Sequence, residues 1–230
     1  MFLILAESGD PLATQVENLF ETQGRPARRL SEKELMEETP LAIERDGGRF
    51  GGLLRLPGGD LPLDQLSGVL VRMRRRWWPS SGFEPADQMF VYHETTAAVF
   101  CLLAGLRCPV MNRFDLGWWL CDPAYPERLR EELADRLGWS LIEADPECEP
   151  VRVYAVDGRL IPASGQAVSF EDRAAALAEW QRRSGLRICR LDVSSGAEPA
   201  LEAIDPCPSL VGESADLIGR VAAAAVEGLA

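Results

Sequence analysis

The feature that most constrains the fold is a short aliphatic run followed by a helical pattern at the start of the sequence. The run MFLILAE leads into the turn-forming stretch ESGDP, and PLATQVENLFETQG follows it. In that segment Leu12, Val16, Leu19 and Phe20 recur at helical spacing until Gly24 ends the pattern. The next stretch, PARRLS, predicts a second strand. A strand, a helix and a strand in succession form a βαβ unit, so the sequence predicts an α/β fold that begins with a parallel sheet.

Two further strand signals differ from each other in their pattern. LAIERDGGRFGGLLRL contains two alternating runs joined by Asp46, Gly47 and Gly48, which tolerate positive φ and predict a hairpin. LSGVLVRM has continuous apolar residues, which is typical of a strand covered on both faces. The stretch RRRWWPSSGF lies directly behind that strand. Ligands of open α/β sheets bind at the carboxyl ends of the strands. We therefore expect a site in the stretch that follows this strand.

The rest of the chain divides at an irregular stretch. A long helix is predicted between residues 84 and 105, and CPVMNR predicts another short strand. The inner face of the helix is expected to carry Phe90, Ala97, Ala98, Cys101 and Leu102. Regularity breaks around DLGWWLCDPAYP, so we expect one domain over residues 1–122 and a second over residues 123–230. The second domain is predicted to contain helices in PERLREELADRLG and FEDRAAALAEWQRRSG, strands in SLIEA, VRVYAVDGRLI, RICRLDV and ALEAI, and a final helix from about Ser214.

Charge and cysteine content exclude several classes of protein. The formal net charge is −12, from 36 acidic and 24 basic residues. Binding to nucleic acid or to an anionic membrane requires a cationic field over a large surface, so neither is an expected partner. The N-terminal apolar run is short and the later run VFCLLAGL cannot cross a bilayer, so we expect a soluble cytoplasmic protein. The 6 cysteines have no zinc-ligand spacing, and we expect buried, reduced thiols.

The basic and aromatic stretch behind the buried strand has two interpretations. Its six notable residues are Arg72, Arg74, Arg75, Arg76, Trp77 and Trp78. They could form a solvated basic turn that balances nearby carboxylates, or a site for an anion or a peptide. Two adjacent tryptophans cannot both face one core from a strand, so at least one is expected to be exposed, where it could cover a ligand. For His93, the single histidine, we expect a structural hydrogen bond because no nucleophile accompanies it in a recognisable arrangement.

Two segments of the chain resemble the ATP-grasp superfamily, in the branch of ribosomal-protein glutamate ligases, peptide-modifying ligases and glutathione synthetase. In the first half, HETTAAVFCLLAGLRCPVMNR places Glu94, Asn112 and Arg113 where those ligases have an "E…L…pvvN" pattern. In the second half, VRVYAVDGRLI and CRLDVSSGAEPALEAIDPCPSL resemble the strand pair and the magnesium-ligand segment of the family. The resemblance implies a Rossmann-like pre-ATP-grasp domain followed by a truncated ATP-grasp-like α+β domain.

The resemblance also implies site residues and a reaction. The family uses ATP to activate a carboxylate as an acylphosphate, which an amine then attacks, and its magnesium ions require oxygen ligands. Arg152 takes the place of the family's strand arginine, as a catalytic residue. The implied metal ligands are Asp192, Glu202 and Asp205, although Ala203 stands where a glutamate is expected. Because Glu202 comes one place early in a strand, it can substitute only if the backbone bulges. The implied ligand-binding residues are Arg72, Arg74, Arg75, Trp77, Asn112 and Arg113.

The main departure from the family is a missing subdomain. Between Gly138 and Arg152 the family inserts strands that carry two lysines for the nucleotide phosphates, whereas this chain has only WSLIEADPECEPV. Its single lysine, Lys33, lies far away in the first half, and arginine does not replace lysine freely as a phosphate ligand. We therefore expect a degenerate ATP-grasp-like protein that needs no cofactor and binds a peptide or a small anionic ligand, or assists an active ligase. Two alternatives stay open: a minimal carboxylate–amine ligase that uses Mg-ATP, and an oligomeric interaction module.

Overall fold

The computed structural model of the chain describes residues 1–46, 49–56, 59–73, 84–119, 122–143, 149–164, 171–194 and 200–229. Apart from a short π-helix at Glu34–Glu38 and a 3-10 turn at Leu63–Gln65, its first part contains β1 (Phe2–Ala6), α1 (Pro11–Thr22), β2 (Ala27–Leu30), β3 (Leu41–Asp46), β4 (Arg49–Leu56), β5 (Gly59–Pro62), β6 (Gly68–Arg72), α2 (Pro85–Gly105), β7 (Val110–Met111) and α3 (Leu116–Trp119). Its second part contains α4 (Tyr125–Leu137), β8 (Ser140–Leu141), β9 (Val151–Val156), β10 (Arg159–Pro162), α5 (Ala174–Ser184), β11 (Ile188–Val193), β12 (Ala200–Asp205) and α6 (Ala215–Leu229), with a 3-10 turn at Glu171–Arg173.

The strands in the described part of the chain form three sheets. The first is parallel and has the order β2-β1-β6-β7. The second is the antiparallel meander β3-β4-β5, which includes the predicted hairpin. The third has the order β10-β9-β11-β12-β8 and is antiparallel except for the pairing of β12 with β8. The predicted α/β fold class, with a parallel first sheet and a mixed second part, is confirmed.

Local sequence signals account for several of these elements. Asp10 caps α1, since its Oδ1 accepts a hydrogen bond from the Ala13 N–H at 2.8 Å, and Pro11 occupies the first turn. Ser214 does the same for α6, because its Oγ accepts from the Leu217 N–H at 3.2 Å. The β9–β10 hairpin turns at Asp157 and Gly158, whose φ angles are 48° and 83°. An aspartate followed by a glycine adopts such angles at low cost, so the turn follows from the local sequence.

The hydrophobic core crosses the predicted domain boundary. One cluster of buried residues packs Leu3 and Val69 of the first sheet together with Trp180 and Leu191 of the second part. A second cluster contains apolar side chains of α1, such as Phe20, and of α6, and these two helices pack against each other. Burial of one such side chain stabilises the fold by roughly 1.5–3 kcal/mol, so the two parts are held together by apolar contact over a wide area. The division at residue 122 stays a prediction.

Helix α2 does not present the predicted face to the core. Its buried residues are Tyr92, Thr96, Val99, Leu102 and Leu103. Of the five residues expected on the inner face, only Leu102 is buried, whereas Phe90, Ala97 and Cys101 are exposed. The expectation was wrong because apolar residues surround this helix on nearly every side, so a spacing of 3.6 residues does not distinguish one face from another. His93 is also exposed.

The cysteines follow their predicted burial only in part. Cys189 and Cys207 are buried, and burial raises the pKa of the Cys189 thiol to about 12. Cys108 is half-buried and Cys101 is exposed, contrary to the expectation.

The described residues include no helix with the length and apolar character needed to span a membrane.

Candidate functional site

The candidate site is one face of the five-stranded sheet, where β9, β11 and β12 lie side by side. In the pairing of these strands, Arg152 is opposite Asp192, and Asp192 is opposite Ala203. Side chains at paired positions project from the same face of a sheet. The neighbouring residue Leu191 projects from the other face into the core and has no exposed surface. The residues that the resemblance assigned to catalysis and to metal binding therefore meet on the face opposite to this core.

A second row of polar residues lies two positions further along the strands. Here Tyr154 is opposite Arg190, and Arg190 is opposite Asp205. Because the side-chain period of a strand is two residues, this row shares its face with Arg152 and Asp192. The tertiary structure thus brings two arginines and two aspartates together on adjacent rows of one sheet face.

Strand β12 contains the bulge on which a metal role for Glu202 depends. Asp192 pairs with Ala203, and the next residue of β11 pairs with Leu201, so Glu202 is an extra residue in β12. Both Leu201 and Ile204 are buried in the core, although they are three positions apart. An unbroken strand would place them on opposite faces, so the bulge turns Glu202 and Ala203 together toward the face of Asp192. Glu202 is buried, with 8% of its surface exposed.

Asp192 is already paired with a cation from its own strand. Arg190 Nη2 donates a hydrogen bond to Asp192 Oδ2 at 3.1 Å, and Arg190 Nε lies 3.0 Å from Asp192 Oδ1. Both side chains are largely buried, which strengthens the attraction between their charges. A metal ion at Asp192 would have to displace this guanidinium.

Asp205 acts as a turn residue in the described structure. Its Oδ1 accepts a hydrogen bond from the Cys207 N–H at 3.0 Å, which closes an Asx-type turn at the end of β12. Among the described residues no group of three or more histidine, cysteine, aspartate or glutamate side chains is placed to hold a metal ion. The expected magnesium ligands Asp192, Glu202 and Asp205 share a face of the sheet, but in this structure they do not assemble into such a group. The metal roles of Asp192, Glu202 and Asp205 stay predictions.

Arg152 is the accessible arginine of the site. Its side chain is 54% exposed, and its Nη1 lies 3.7 Å from Glu213 Oε1. The Tyr154 hydroxyl donates a hydrogen bond to the same oxygen at 3.0 Å. Burial, together with this hydrogen bond to a carboxylate, raises the pKa of the Tyr154 phenol, so Tyr154 stays protonated. An exposed ion pair of this length contributes little to stability, which leaves the Arg152 guanidinium available to a ligand.

A cavity of about 390 Å³ opens beside Arg152. Its lining residues are Glu149, Pro150, Val151, Arg152, Ala163 and Ser164. Arg72, Asp192 and Asp205 do not line it, so these residues and Arg152 do not enclose a common cavity there. A larger cavity of about 680 Å³ lies between the β3–β4–β5 sheet and the end of α2, among Glu44, Asp64 and Arg107. No residue predicted for the site lines that larger cavity.

Arg72 is a buried link between the two parts of the chain. Its side chain has no exposed surface. Its Nε and Nη2 donate hydrogen bonds to Asp10 Oδ2 at 3.2 Å and 2.9 Å, and Nη2 also donates to the Pro208 carbonyl at 2.7 Å. A ligand could reach this guanidinium only by displacing those partners. The ligand role predicted for Arg72 is untested, but the contacts in this structure are structural ones.

The surroundings of Arg72 keep it charged. Burial by itself would lower the pKa of the Arg72 guanidinium, but the nearby groups of Cys207, Asp10 and Asp205 outweigh burial and raise it. Cys207 Sγ lies 3.9 Å from Arg72 Nη1. The role of Asp10 was missed in the sequence. Its position before Pro11 at the start of a helix was a signal for a cap, but nothing local pointed to its ion pair with Arg72.

Asn112 has a similar linking role. Its Nδ2 donates hydrogen bonds to the Ile188 and Pro206 carbonyls at 2.8 Å and 3.1 Å, and its Oδ1 accepts from the Ile188 N–H at 2.7 Å. It is fully buried, and its φ angle is 63°, a region that asparagine tolerates better than most residues. Next to it, Arg113 Nη2 donates to the Leu106 carbonyl at 3.0 Å. The ligand roles predicted for Asn112 and Arg113 stay untested, and the observed partners of both lie within the protein.

The remaining predicted ligand residues cannot be placed. Arg74, Arg75 and Trp77 lie outside the described residues, as does Trp78. The loop interpretation that rested on them stays a prediction, and so does the oligomeric interaction module.

The connection between α4 and β9 is held against the sheet by strand pairing and hydrogen bonds. Within it, β8 pairs in parallel with the start of β12. Arg130 of α4 donates hydrogen bonds to the Ile142 carbonyl at 2.6 Å and to the Leu201 carbonyl at 3.4 Å. Lys33, the single lysine, has an exposed side chain whose Nζ lies 3.4 Å from Glu38 Oε1. The sheet edge at β8 thus has no lysine near it.

Comparisons with known proteins identify the fold. No protein-family model matches the sequence, and no curated protein is significantly similar to it. Solved structures do match. The macrocyclase MdnC from Microcystis aeruginosa MRC, bound with precursor peptide MdnA, matches with a TM-score of 0.73 at 14% identity, over 100% of this chain and 99% of that chain. The ATP-grasp ligase PsnB, complexed with precursor peptide PsnA2 and AMPPNP, matches with a TM-score of 0.68 at 10% identity, over 100% of this chain and 97% of that chain.

A third match is the RiPP-associated ATP-grasp ligase of Chryseobacterium gregarium, solved in complex with ADP and a leader and core peptide. Its TM-score is 0.65 at 13% identity, over 99% of this chain and 96% of that chain. The chain therefore has the fold of an ATP-grasp ligase, and the resemblance in its sequence is confirmed at the level of the fold. More particularly, these three structures, a macrocyclase and two ATP-grasp ligases, each contain a bound peptide.

Proposed function

We propose that this protein is an ATP-grasp-fold protein that binds a peptide or a small anionic ligand and does not carry out ordinary ATP-dependent ligation. One observation carries the proposal: only WSLIEADPECEPV connects α4 to β9, where the resemblance implies a lysine-bearing nucleotide subdomain. Two residues of this connection form β8, which leaves too little chain for a second phosphate-binding sheet. The site has no lysine near it, and the arginines on the sheet face do not replace the mobile point charge of a phosphate-binding lysine freely, because their geometry is fixed.

The charges of the sheet face support the same proposal. Asp192 is paired with Arg190, and Asp205 closes a turn, so neither carboxylate is arranged to receive magnesium. Arg152, by contrast, is exposed beside a cavity. A guanidinium forms paired hydrogen bonds with a carboxylate, which is the group that a peptide C-terminus or an acidic side chain presents. Three of the structures with the same fold were solved with bound peptides, which is why we include a peptide among the expected ligands.

Isothermal titration calorimetry tests this proposal directly. Mg-ATP is expected to produce no saturable heat, because the phosphate-binding lysines and a free set of oxygen ligands are missing. A tripeptide with a free C-terminal carboxylate is expected to bind, and more weakly to Arg152→Met than to the wild type. Arg159→Met is the matched control, since Arg159 is equally exposed but lies outside the cavity. Micromolar binding of Mg-ATP would overturn the proposal, and so would equal affinity of both arginine variants for the tripeptide.

A second candidate is a minimal carboxylate–amine ligase that uses Mg-ATP. The bulge in β12 favours it, because it brings Glu202 to the same face as Asp192 and Asp205. In that case ADP is expected to be released when Mg-ATP and a mixture of amino acids are added, and Asp192→Asn is expected to abolish the release. Asp216→Asn changes an exposed aspartate of α6 and is expected to leave the rate unchanged. Absence of ADP release from the wild type would remove this candidate.

A further inference from the structure

The larger cavity, of about 680 Å³, is lined by charges of both signs. Glu44 and Asp64 supply two carboxylates and Arg107 supplies a guanidinium, and all three residues are exposed. Within the part of the chain that the structure describes, none of these three side chains forms an ion pair or a hydrogen bond. The charges are therefore available to a ligand that carries groups of both signs.

The same cavity has an apolar part. Leu63, Leu66 and Leu106 line it, although only 5%, 6% and 5% of their surfaces are exposed. Sites for small molecules are typically apolar clefts of roughly 300–1,000 Å³ in which a few polar groups fix the orientation of the ligand. The cavity thus combines a surface that can cover an apolar group with charged side chains that can hold the ends of the same molecule.

A glycine in the cavity wall has no structural requirement in the described part of the chain. Gly51 of β4 is opposite Glu44 of β3, and both line the cavity. The φ angle of Gly51 is not in the left-handed region, and a Cβ there would meet no atom of the described residues within 4 Å. Its neighbour Gly52 differs, because a Cβ there would lie 2.0 Å from the Ala42 carbonyl oxygen. Glycine weakens the interior of a strand and often marks the close approach of a ligand, which is the role we infer for Gly51.

We propose that this cavity binds a dipeptide with apolar side chains and with both termini free. Glu44 and Asp64 attract its ammonium group, and the Arg107 guanidinium forms paired hydrogen bonds with its carboxylate. The leucine side chains of the cavity cover its apolar groups, and its backbone lies against Gly51. A single amino acid would leave much of the 680 Å³ unfilled. The proposal is independent of the ligand site at Arg152, since no residue lines both cavities.

Isothermal titration calorimetry with the dipeptide Leu-Leu tests the charged groups. The titration uses the Arg152→Met variant throughout, so that the sheet face does not contribute. Leu-Leu is expected to bind saturably, and addition of Arg107→Met is expected to weaken it by about tenfold or more, because a hydrogen-bonded charge pair is lost. Addition of Arg159→Met instead is the matched control and is expected to change nothing, since Arg159 is exposed and outside the cavity.

Capped peptides test whether both ends of the ligand are recognised. Acetyl-Leu-Leu lacks the ammonium group and Leu-Leu-amide lacks the carboxylate, so each is expected to bind about tenfold more weakly than Leu-Leu or less tightly still. Absence of Leu-Leu binding would overturn the proposal. Equal affinity for the free and the capped peptides would overturn it too, as would equal affinity of the Arg107 and Arg159 variants for Leu-Leu.

Replacement of Gly51 by valine tests the wall of the cavity. The valine side chain is expected to occupy the space of the ligand and abolish Leu-Leu binding. Because valine favours a strand and has room at this position, the midpoint of thermal unfolding is expected to rise by about 2–4 °C. Loss of binding in a more stable protein cannot be attributed to damage to the fold. The proposal is overturned if Gly51→Val binds Leu-Leu as tightly as the wild type or is less stable than it.

Discussion

Replacement of Arg72 by methionine is expected to lower the free energy of unfolding by about 3–5 kcal/mol, which is the usual effect of removing one partner from a buried ion pair. Methionine fills much of the same space but leaves the Asp10 carboxylate buried without a cation. The Pro208 carbonyl also loses the donor that now lies 2.7 Å away. Urea denaturation of both proteins, with linear extrapolation to water, measures the difference.

Variants of Asp10 and of a surface arginine show whether the loss comes from the buried pair. Asp10→Asn keeps an oxygen that can accept the Ala13 N–H but removes the charge, so alone it leaves Arg72 without its counterion. The double variant Arg72→Met with Asp10→Asn buries no charge and is expected to be more stable than Arg72→Met alone. Arg159→Met removes an exposed arginine and is expected to change stability by less than about 0.5 kcal/mol. If Arg72→Met matches that control, the assigned role of Arg72 is wrong.

Asn112→Ala is expected to lower the free energy of unfolding by about 3–4 kcal/mol. Three hydrogen bonds are lost, each with a net value of roughly 1 kcal/mol, and the Ile188 and Pro206 groups lose the Asn112 side chain as a partner. An alanine held at φ 63° adds about 1 kcal/mol of backbone strain. Thermal and urea denaturation of the variant measure the total.

A glycine at the same position separates the two contributions. Asn112→Gly loses the same hydrogen bonds but adopts a positive φ without strain, so it is expected to be more stable than Asn112→Ala. Asn18→Ala is the surface control, because Asn18 is exposed on α1. A loss of less than 1 kcal/mol for both Asn112 variants would contradict the linking role of this side chain.

Arg72 and Asn112 together support one segment of the second part. The first donates to the Pro208 carbonyl and the second to the Pro206 carbonyl, on either side of Cys207. Both residues were expected to contribute to a ligand site. In the structure their polar groups reach the end of β12, where the implied metal-ligand segment turns. Arg72 and Asn112 thus support the backbone at the end of β12. Arg152, by contrast, is exposed to solvent.

Much of the architecture follows from the sequence alone. The period of apolar residues locates the main helices and strands. The two alternating runs joined by Asp46, Gly47 and Gly48 predict the pairing of β3 with β4. The short connection between α4 and β9 and the single lysine are properties of the sequence as well, and they carry the proposed function. These features depend on neighbouring residues, which one-dimensional patterns describe well.

Contacts between distant residues were decided only by the tertiary structure. The hydrogen bond from Arg72 to Pro208 joins residues 136 positions apart, and that from Asn112 to Pro206 joins residues 94 positions apart. The bulge at Glu202 depends on how β12 pairs with β11, and the buried side of α2 depends on what packs against a helix that is apolar all round. A local pattern records which residues are apolar or charged, but not which partner each will meet. Those partners are chosen by packing and by the pairing of strands, because buried polar groups must find hydrogen bonds wherever the folded chain supplies them.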